Sequence, residues 1–346
     1  MGGNALKGVT TRRYQRDEYL ALEQEVLDTL RRDFPGRRIE AIKAYRQKES
    51  FGDMDVLLES DNLQVNLSKY VVDTFGAKEV AKNSSVTSFE FKEFQIDLIC
   101  TTRKNFSTSA SYFAWNDLGN LMGRVSHKLG FKYGHEGLSL IFRDGDYQYA
   151  EINVSQDPRK IFEFLDYDYD RFLAGFDTIS EIFEFTTSSK FFNKEIYALE
   201  NRNHTSRTRD RKRKTYNEFL TWVETAELQN AYPWATMREQ GGHEYKKQFV
   251  DRAARFFPDF KVEHDKVQAN FKLWKEAKAL FNGGLVREWT GLEDKELGLF
   301  MKHLREVGST LTDKWTAWVV EQGAEGVKTW VLNLFNEYAG ANSCAR

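Results

Sequence analysis

The chain has 346 residues, 41% hydrophobic and 29% charged, with 50 basic and 52 acidic side chains for a formal charge of −2. Those figures describe a soluble globular protein long enough for two domains and exclude a uniformly basic one, so any nucleic-acid contact must come from local patches. No apolar run reaches the roughly 18–20 residues of a membrane span and no signal-peptide core is seen. Two cysteines, Cys100 and Cys344, exclude a disulfide scaffold, and together these features fit a monomeric cytoplasmic protein.

Residues 1–13, with Gly2-Gly3-Asn4, Lys7, Arg12 and Arg13, have the composition of a flexible basic arm. Helical periodicity covers 14–33, with Tyr19, Leu20, Leu22, Val26, Leu27 and Leu30 on the buried side, and Pro35-Gly36 stops it. Strand patterns follow at 39–45, 54–59, 62–67 and 88–101, with Asp61-Asn62 as a hairpin turn. A helix over 118–129 ends at Gly130, and short strands near 138–142 and 148–154 flank Asp144-Gly145-Asp146. From about residue 178 strand alternation gives way to helices, expected at 214–229, 243–256, 262–281, 294–307, 314–321 and 327–338.

The chemistry concentrates in Ser50-Phe51-Gly52-Asp53-Met54-Asp55-Val56-Leu57-Leu58. A strand alternates faces with period two, so Asp53 and Asp55 project to one side while Met54 points to the other. Two acids on one face repel unless a cation neutralises them, and hard oxygen ligands suit Mg²⁺. In 89–99, Phe94, Ile96 and Leu98 alternate with Gln95 and Asp97, so a second strand beside the first would bring a third carboxylate to the pair. Three such acids on one sheet can hold two metal ions.

These residues resemble the nucleotidyltransferase superfamily, and within it the polymerase beta-like family X DNA polymerases. Tyr112-Phe113-Ala114-Trp115-Asn116-Asp117-Leu118-Gly119-Asn120-Leu121-Met122-Gly123-Arg124 is similar to that family's Tyr-Phe-x-Gly-Ser-Asp-x-x-Asn-x-x-x-Arg motif, and 157–165 is similar to its Asp-Ile-Phe helix. The resemblance covers roughly residues 14–172. It implies an α+β nucleotidyltransferase palm over 14–110 and a small α/β nucleotide- and template-binding subdomain over 111–177. An all-helical domain over 178–346, expected to bind nucleic acid, follows.

By the same resemblance Asp53, Asp55 and Asp97 are the catalytic, metal-binding triad for two Mg²⁺ ions, with Mn²⁺ as a substitute. Tyr112 and Phe113 match a sugar gate, Asp117 and Asn120 contact the incoming nucleotide, and Arg124 reaches toward the template. The Gly-Ser pair that opens the family's phosphate-gripping helix is missing, with Lys43-Ala44 or Ala44-Tyr45 in its place. Ser50 and Gly52 remain, and Lys43, Arg46 and Lys48 are expected to supply positive charge to the triphosphate. Trp115-Asn116 replaces a second Gly-Ser pair, which would put a tryptophan beside the sugar pocket.

Arg202, Arg207, Arg209, Arg211, Lys212, Arg213 and Lys214 form a basic run with Asp210 as its one acid, and phosphate binding by the last six is expected. A weaker likeness links 281–301 to the tail of tRNA nucleotidyltransferases, with Gly298 allowing a close helix crossing. The expected function is transfer of nucleoside monophosphate from a dNTP (or NTP) to the 3′-hydroxyl of a DNA primer-template. The alternatives are an enzyme acting on RNA 3′ ends or another acceptor, and a non-catalytic nucleic-acid-binding relative.

Overall fold

The computed structural model describes residues 5–312 and 314–343, without the side chains of 242–243 and 341–343; Cys344 lies outside the described residues. The fold is mixed α+β with a helical C-terminal region. A short β1 (Tyr14–Gln15) leads into α1 (Arg16–Asp33), whose Tyr19, Leu22, Val26, Leu27 and Leu30 recur at helical spacing and are buried. Leu20, expected among them, sits at the edge of that stripe and is 45% exposed.

After β2 (Ile39–Ala41) and β3 (Ser50–Phe51), which pairs with β1, comes β4 (Asp53–Glu59). The strand expected at 62–67 is absent. Asn66 Oδ1 instead accepts from the Lys69 amide at 3.2 Å and starts α2 (Leu67–Phe75), which buries Val71 and Phe75. An amide side chain able to cap a helix outweighs a short alternating pattern here.

β5 (Val80–Asn83), β6 (Val86–Phe91) and β7 (Phe94–Thr101) follow. The single strand expected over 88–101 is therefore a hairpin. Its turn residues, Lys92 and Glu93, have φ of 54° and 60°. Two left-handed residues give the turn whose twist matches paired strands, built here without the glycine that usually announces it.

The five-stranded sheet has the order β2-β4-β7-β6-β5. Its central pair, β4 and β7, is parallel, and its other pairs are antiparallel. Met54, Val56, Leu58, Ile96 and Leu98 are fully buried in one cluster with the buried face of α1.

Next come α3 (Phe106–Phe113), α4 (Leu118–Leu129), and a second sheet of β8 (Phe131–Gly134), β9 (Gly137–Asp144) and β10 (Tyr147–Ser155) in the order β10-β9-β8. α5 (Pro158–Phe164) is capped by Asp157 and has proline at its start. It leads to α6 (Tyr169–Ala174), α7 (Ile179–Thr187), α8 (His204–Asp210), α9 (Lys214–Thr225), α10 (Trp234–Gly241) and α11 (Lys247–Phe256).

Residues 178–261 pack with the residues before them rather than with the rest of the helical half. One compact unit runs to 141 and takes up 151–261, and the other takes 142–150 and everything from 262. The joins are specific: the Tyr197 hydroxyl donates to the Leu121 carbonyl at 3.1 Å, Tyr167 OH to the Thr186 carbonyl at 3.1 Å, and Ser189 Oγ to the Leu165 carbonyl at 2.8 Å. The parting near residue 262, not the expected 177/178, follows from these buried bonds.

The second unit holds most of α12 (Pro258–Leu280) with α13 (Gly283–Thr290), α14 (Asp294–Leu311) and α15 (Trp315–Ser343). Its core joins Val286, Phe300, Leu304, Val319, Val327 and Val331 to Trp315, Trp318 and Trp330. Gly323, at φ 65°, breaks α15 where two separate helices are expected. The close crossing expected at Gly298 is not made, since nothing lies near that position; Gly308 instead packs beneath the Trp315 ring. No described helix is long and apolar enough to cross a membrane.

Candidate active-site cleft

The register of β4 against β7 puts Asp55 directly opposite Asp97, with Asp53 opposite Gln95. Adjacent strands lie about 4.8 Å apart, so the three carboxylates share one face of the sheet. All three are partly buried. Burial, then the charges of Asp53 and Asp97, push the Asp55 carboxyl up to about 7. Burial also raises Asp97, against hydrogen bonds from Ser88 and Gln95 that favour its ionised form. Gln95 Nε2 donates to both Asp97 oxygens, at 3.0 and 3.1 Å, while Gln95 Oε1 accepts from the Ala5 amide at 3.0 Å.

Hard oxygen donors whose ionised forms repel one another are the chemistry a divalent cation relieves, so this donor set fits Mg²⁺. Among the described residues, no three His, Cys, Asp or Glu side chains are already gathered as a ready-made metal cage. A magnesium site that keeps water and substrate oxygens in its shell does not require one.

Asp53 and Asp55 open onto a cleft of about 530 Å³. Asp97 does not line it and stands behind Asp55. The near wall is the loop between β2 and β4, including Lys43, Lys48, Ser50 and Gly52. Arg46 is turned elsewhere: its guanidinium bonds Asp177 and the Ala174 carbonyl, while the amides of Arg46 and Gln47 donate to the Phe176 and Asp177 carbonyls at 3.0 and 2.9 Å. It fixes the loop instead of facing the cleft. Arg13, read from the sequence as part of a loose arm, lines the cleft and donates to Ser50 Oγ at 3.1 Å and to the Ser50 carbonyl at 2.9 Å. Burial lowers the Lys48 ammonium.

The opposite wall comes from the end of α3 and the start of α4. Phe113, Asn116 and Asp117 line the cleft; Tyr112 and Trp115 do not. The Tyr112 ring packs edge-on against Phe113 and Tyr133, and a Cβ on Gly119 would come within 2.1 Å of the Tyr112 carbonyl oxygen. Trp115, expected beside the sugar, is buried edge-on against Phe172 and Phe176, its amide donating to the Lys43 carbonyl at 2.7 Å. Gly175 makes room for it: φ there is +81°, and a Cβ would meet the indole at 2.6 Å. Trp115 and Asn116 themselves have φ of 59° and 61°. That left-handed pair throws the two side chains to opposite sides.

Residues 117, 120 and 124 do share one face of α4, but this chain covers it. Asp117 Oδ1 accepts from Arg213 Nη1 at 2.6 Å, and Asn120 Oδ1 accepts from Arg124 Nη2 at 3.2 Å. Arg124 is 8% exposed and bonds both oxygens of the fully buried Asp210 at 2.9 Å. Arg202 and Arg209 also approach Asp210, each at 3.5 Å. Arg124, expected at a template strand, is thus turned into the protein.

The basic run divides the same way. Arg207 donates to the Arg202 carbonyl and Arg213 holds Asp117, while Lys212, Arg213 and Lys214 reach the cleft that contains Asp53 and Asp55. Arg209 and Arg211 lie outside it. Neither the family models nor the characterised proteins searched match this chain.

Proposed function

We propose that the chain is a polymerase beta-like nucleotidyltransferase that adds nucleoside monophosphates from dNTPs to the 3′-hydroxyl of a DNA primer and releases pyrophosphate. The observation that carries this reading is the pairing of Asp55 with Asp97 across parallel strands, two residues beyond Asp53, beside a cation-rich cleft. Asp53, Asp55 and Asp97 would hold Mg²⁺. When bound, the metal neutralises phosphate charge and acidifies the attacking hydroxyl.

The chain's own groups do the rest. The cleft walls orient the nucleotide, and its cations balance the polyphosphate. Asp97, held by Gln95 behind Asp55, positions the carboxylates that face the cleft. Incubation with labelled primers, each nucleotide and Mg²⁺, with and without template, should give primers lengthened by single-nucleotide steps and stoichiometric pyrophosphate. Extension of RNA ends alone would move the assignment to an RNA-end enzyme. No extension of any acceptor would overturn it.

Phe113 is the aromatic residue this reading assigns to the sugar. Because Phe113 lines the cleft and Tyr112 does not, Phe113→Ala should raise ribonucleotide over deoxyribonucleotide incorporation by about tenfold, and Tyr112→Ala by less. Steady-state kcat/KM for paired ribo- and deoxyribonucleotides measures it. The reverse ranking would place the gate at Tyr112.

A further inference from the structure

The turn between α8 and α9 is placed where a substrate anion would need it. Lys212, Arg213 and Lys214 line the same cleft as Asp53 and Asp55, together with Lys43 and Lys48 of the loop before β4. The turn is stitched in place. Asn217 Nδ2 donates to the carbonyls of Asp210, Arg211 and Arg213 at 3.2, 3.2 and 2.6 Å, and the Arg213 amide donates to the Asp210 carbonyl at 3.0 Å.

The cleft's cations are not equally free. Arg13 is held by Ser50 and Arg213 by Asp117, while Lys48 lies over the Phe51 ring at 4.5 Å and Lys43 lies 5.9 Å from the Trp115 ring. Lys214 has only a loose neighbour, Glu218, at 3.6 Å. Among the described residues the Lys212 ammonium has no side-chain partner, and both lysines are exposed.

We propose that Lys212 and Lys214 bind the polyphosphate of the nucleotide, replacing the backbone cradle that the Lys43–Tyr45 region lacks. The assignment rests on the nucleotidyltransferase reading and separates 212–214 from the outward Arg209 and Arg211, which remain candidates for a nucleic-acid backbone. Size supports the division. About 530 Å³ is the scale of a small-ligand pocket, whereas nucleic acid tracks an open groove of several nucleotides. Lysine suits the task because its flexible stem carries a point charge to a phosphate without demanding a fixed fork geometry.

The test is titration calorimetry with Mg·dATP and, separately, inorganic tripolyphosphate, alongside primer-binding isotherms at several salt concentrations. In the Lys212→Ala/Lys214→Ala variant, Kd for both anions should rise at least about tenfold and KM for dATP should follow, with kcat changed less. DNA affinity and its salt slope should stay at parental values. Arg211→Ala, one residue from the cleft, should leave nucleotide Kd within about twofold. The Lys212→Gln/Lys214→Gln pair should repeat the loss with the side-chain length retained.

Unchanged anion binding in the double variant overturns the subsite, and a reduced DNA salt slope in its place assigns these lysines to nucleic acid. If the parent protein binds tripolyphosphate through these lysines but extends no acceptor, the subsite stands and the polymerase reading fails. If it extends primers while the double variant keeps the parental KM, the polymerase reading stands and the subsite fails.

Discussion

Asp55→Asn should melt several degrees above the parent protein at pH 8 without metal, and should transfer no nucleotide. Loss of activity follows from removing a hard anionic ligand beside Asp53 and Asp97. The gain in stability follows from the same crowding. In the fold the Asp55 carboxyl sits at about 7, against an ordinary 3.8. Below about pH 4 both folded and unfolded chains carry the proton, so the site imposes no penalty. As pH rises toward 7 the unfolded chain has released a proton that the folded chain keeps, and stability declines. Above pH 7 the penalty is complete, of order 1–3 kcal/mol for a partly hydrated carboxylate.

Asparagine carries no such penalty, so parent and variant should converge near pH 4 and separate toward pH 7. Adding Mg²⁺ should raise the melting temperature of the parent and leave the variant nearly unmoved. An Asp55→Asn protein that melts below the parent at pH 8, or that retains Mg²⁺-dependent transfer, would remove the basis for a cation at this site.

Asp210→Ala should be the most damaging single change outside the cleft. Asp210 is fully buried and answers Arg124, with Arg202 and Arg209 close by, so alanine leaves several cations without their anion. Breaking a buried pair from one side costs about 3–5 kcal/mol. That corresponds to a fall of roughly 10 °C in melting temperature for a unit of this size. A double-mutant cycle with Arg124→Met should give a coupling above about 1 kcal/mol, because the arginine no longer needs the missing acid. If Asp210→Ala melts within a degree or two of the parent, the cluster is not a structural lock and the buried arginines are neutralised by other groups.

The aspartate face could be read from the sequence because strand alternation is local: Asp53, Asp55, Gln95 and Asp97 needed only period two and a parallel partner. Helices α1 and α4 were legible for the same reason. The β6–β7 hairpin was not, since Lys92 and Glu93 take left-handed geometry without a glycine to mark it. Helix α2 was hidden by a short pattern that suited a strand until Asn66 capped it. The widest gap concerns the basic run. A row of arginines looks free to meet phosphate until its acids are located, and Asp117 lies far away along the chain, just before α4. No local periodicity joins Arg213 to Asp117 or Arg124 to Asp210.

The clamp on the near wall also fixes an order of events during synthesis. Arg46 and its binding partner Asp177 are separated by 131 positions, and the cleft lining is complete only with residues 212–218. A nascent chain therefore displays its aspartates and most of its sheet well before it has a pocket, and the loop carrying Lys43 and Lys48 stays unclamped in the meantime. Translation at about 5–20 residues per second leaves several seconds between those stages. Through that interval the acids face water in a cleft whose lining still lacks the α8–α9 turn.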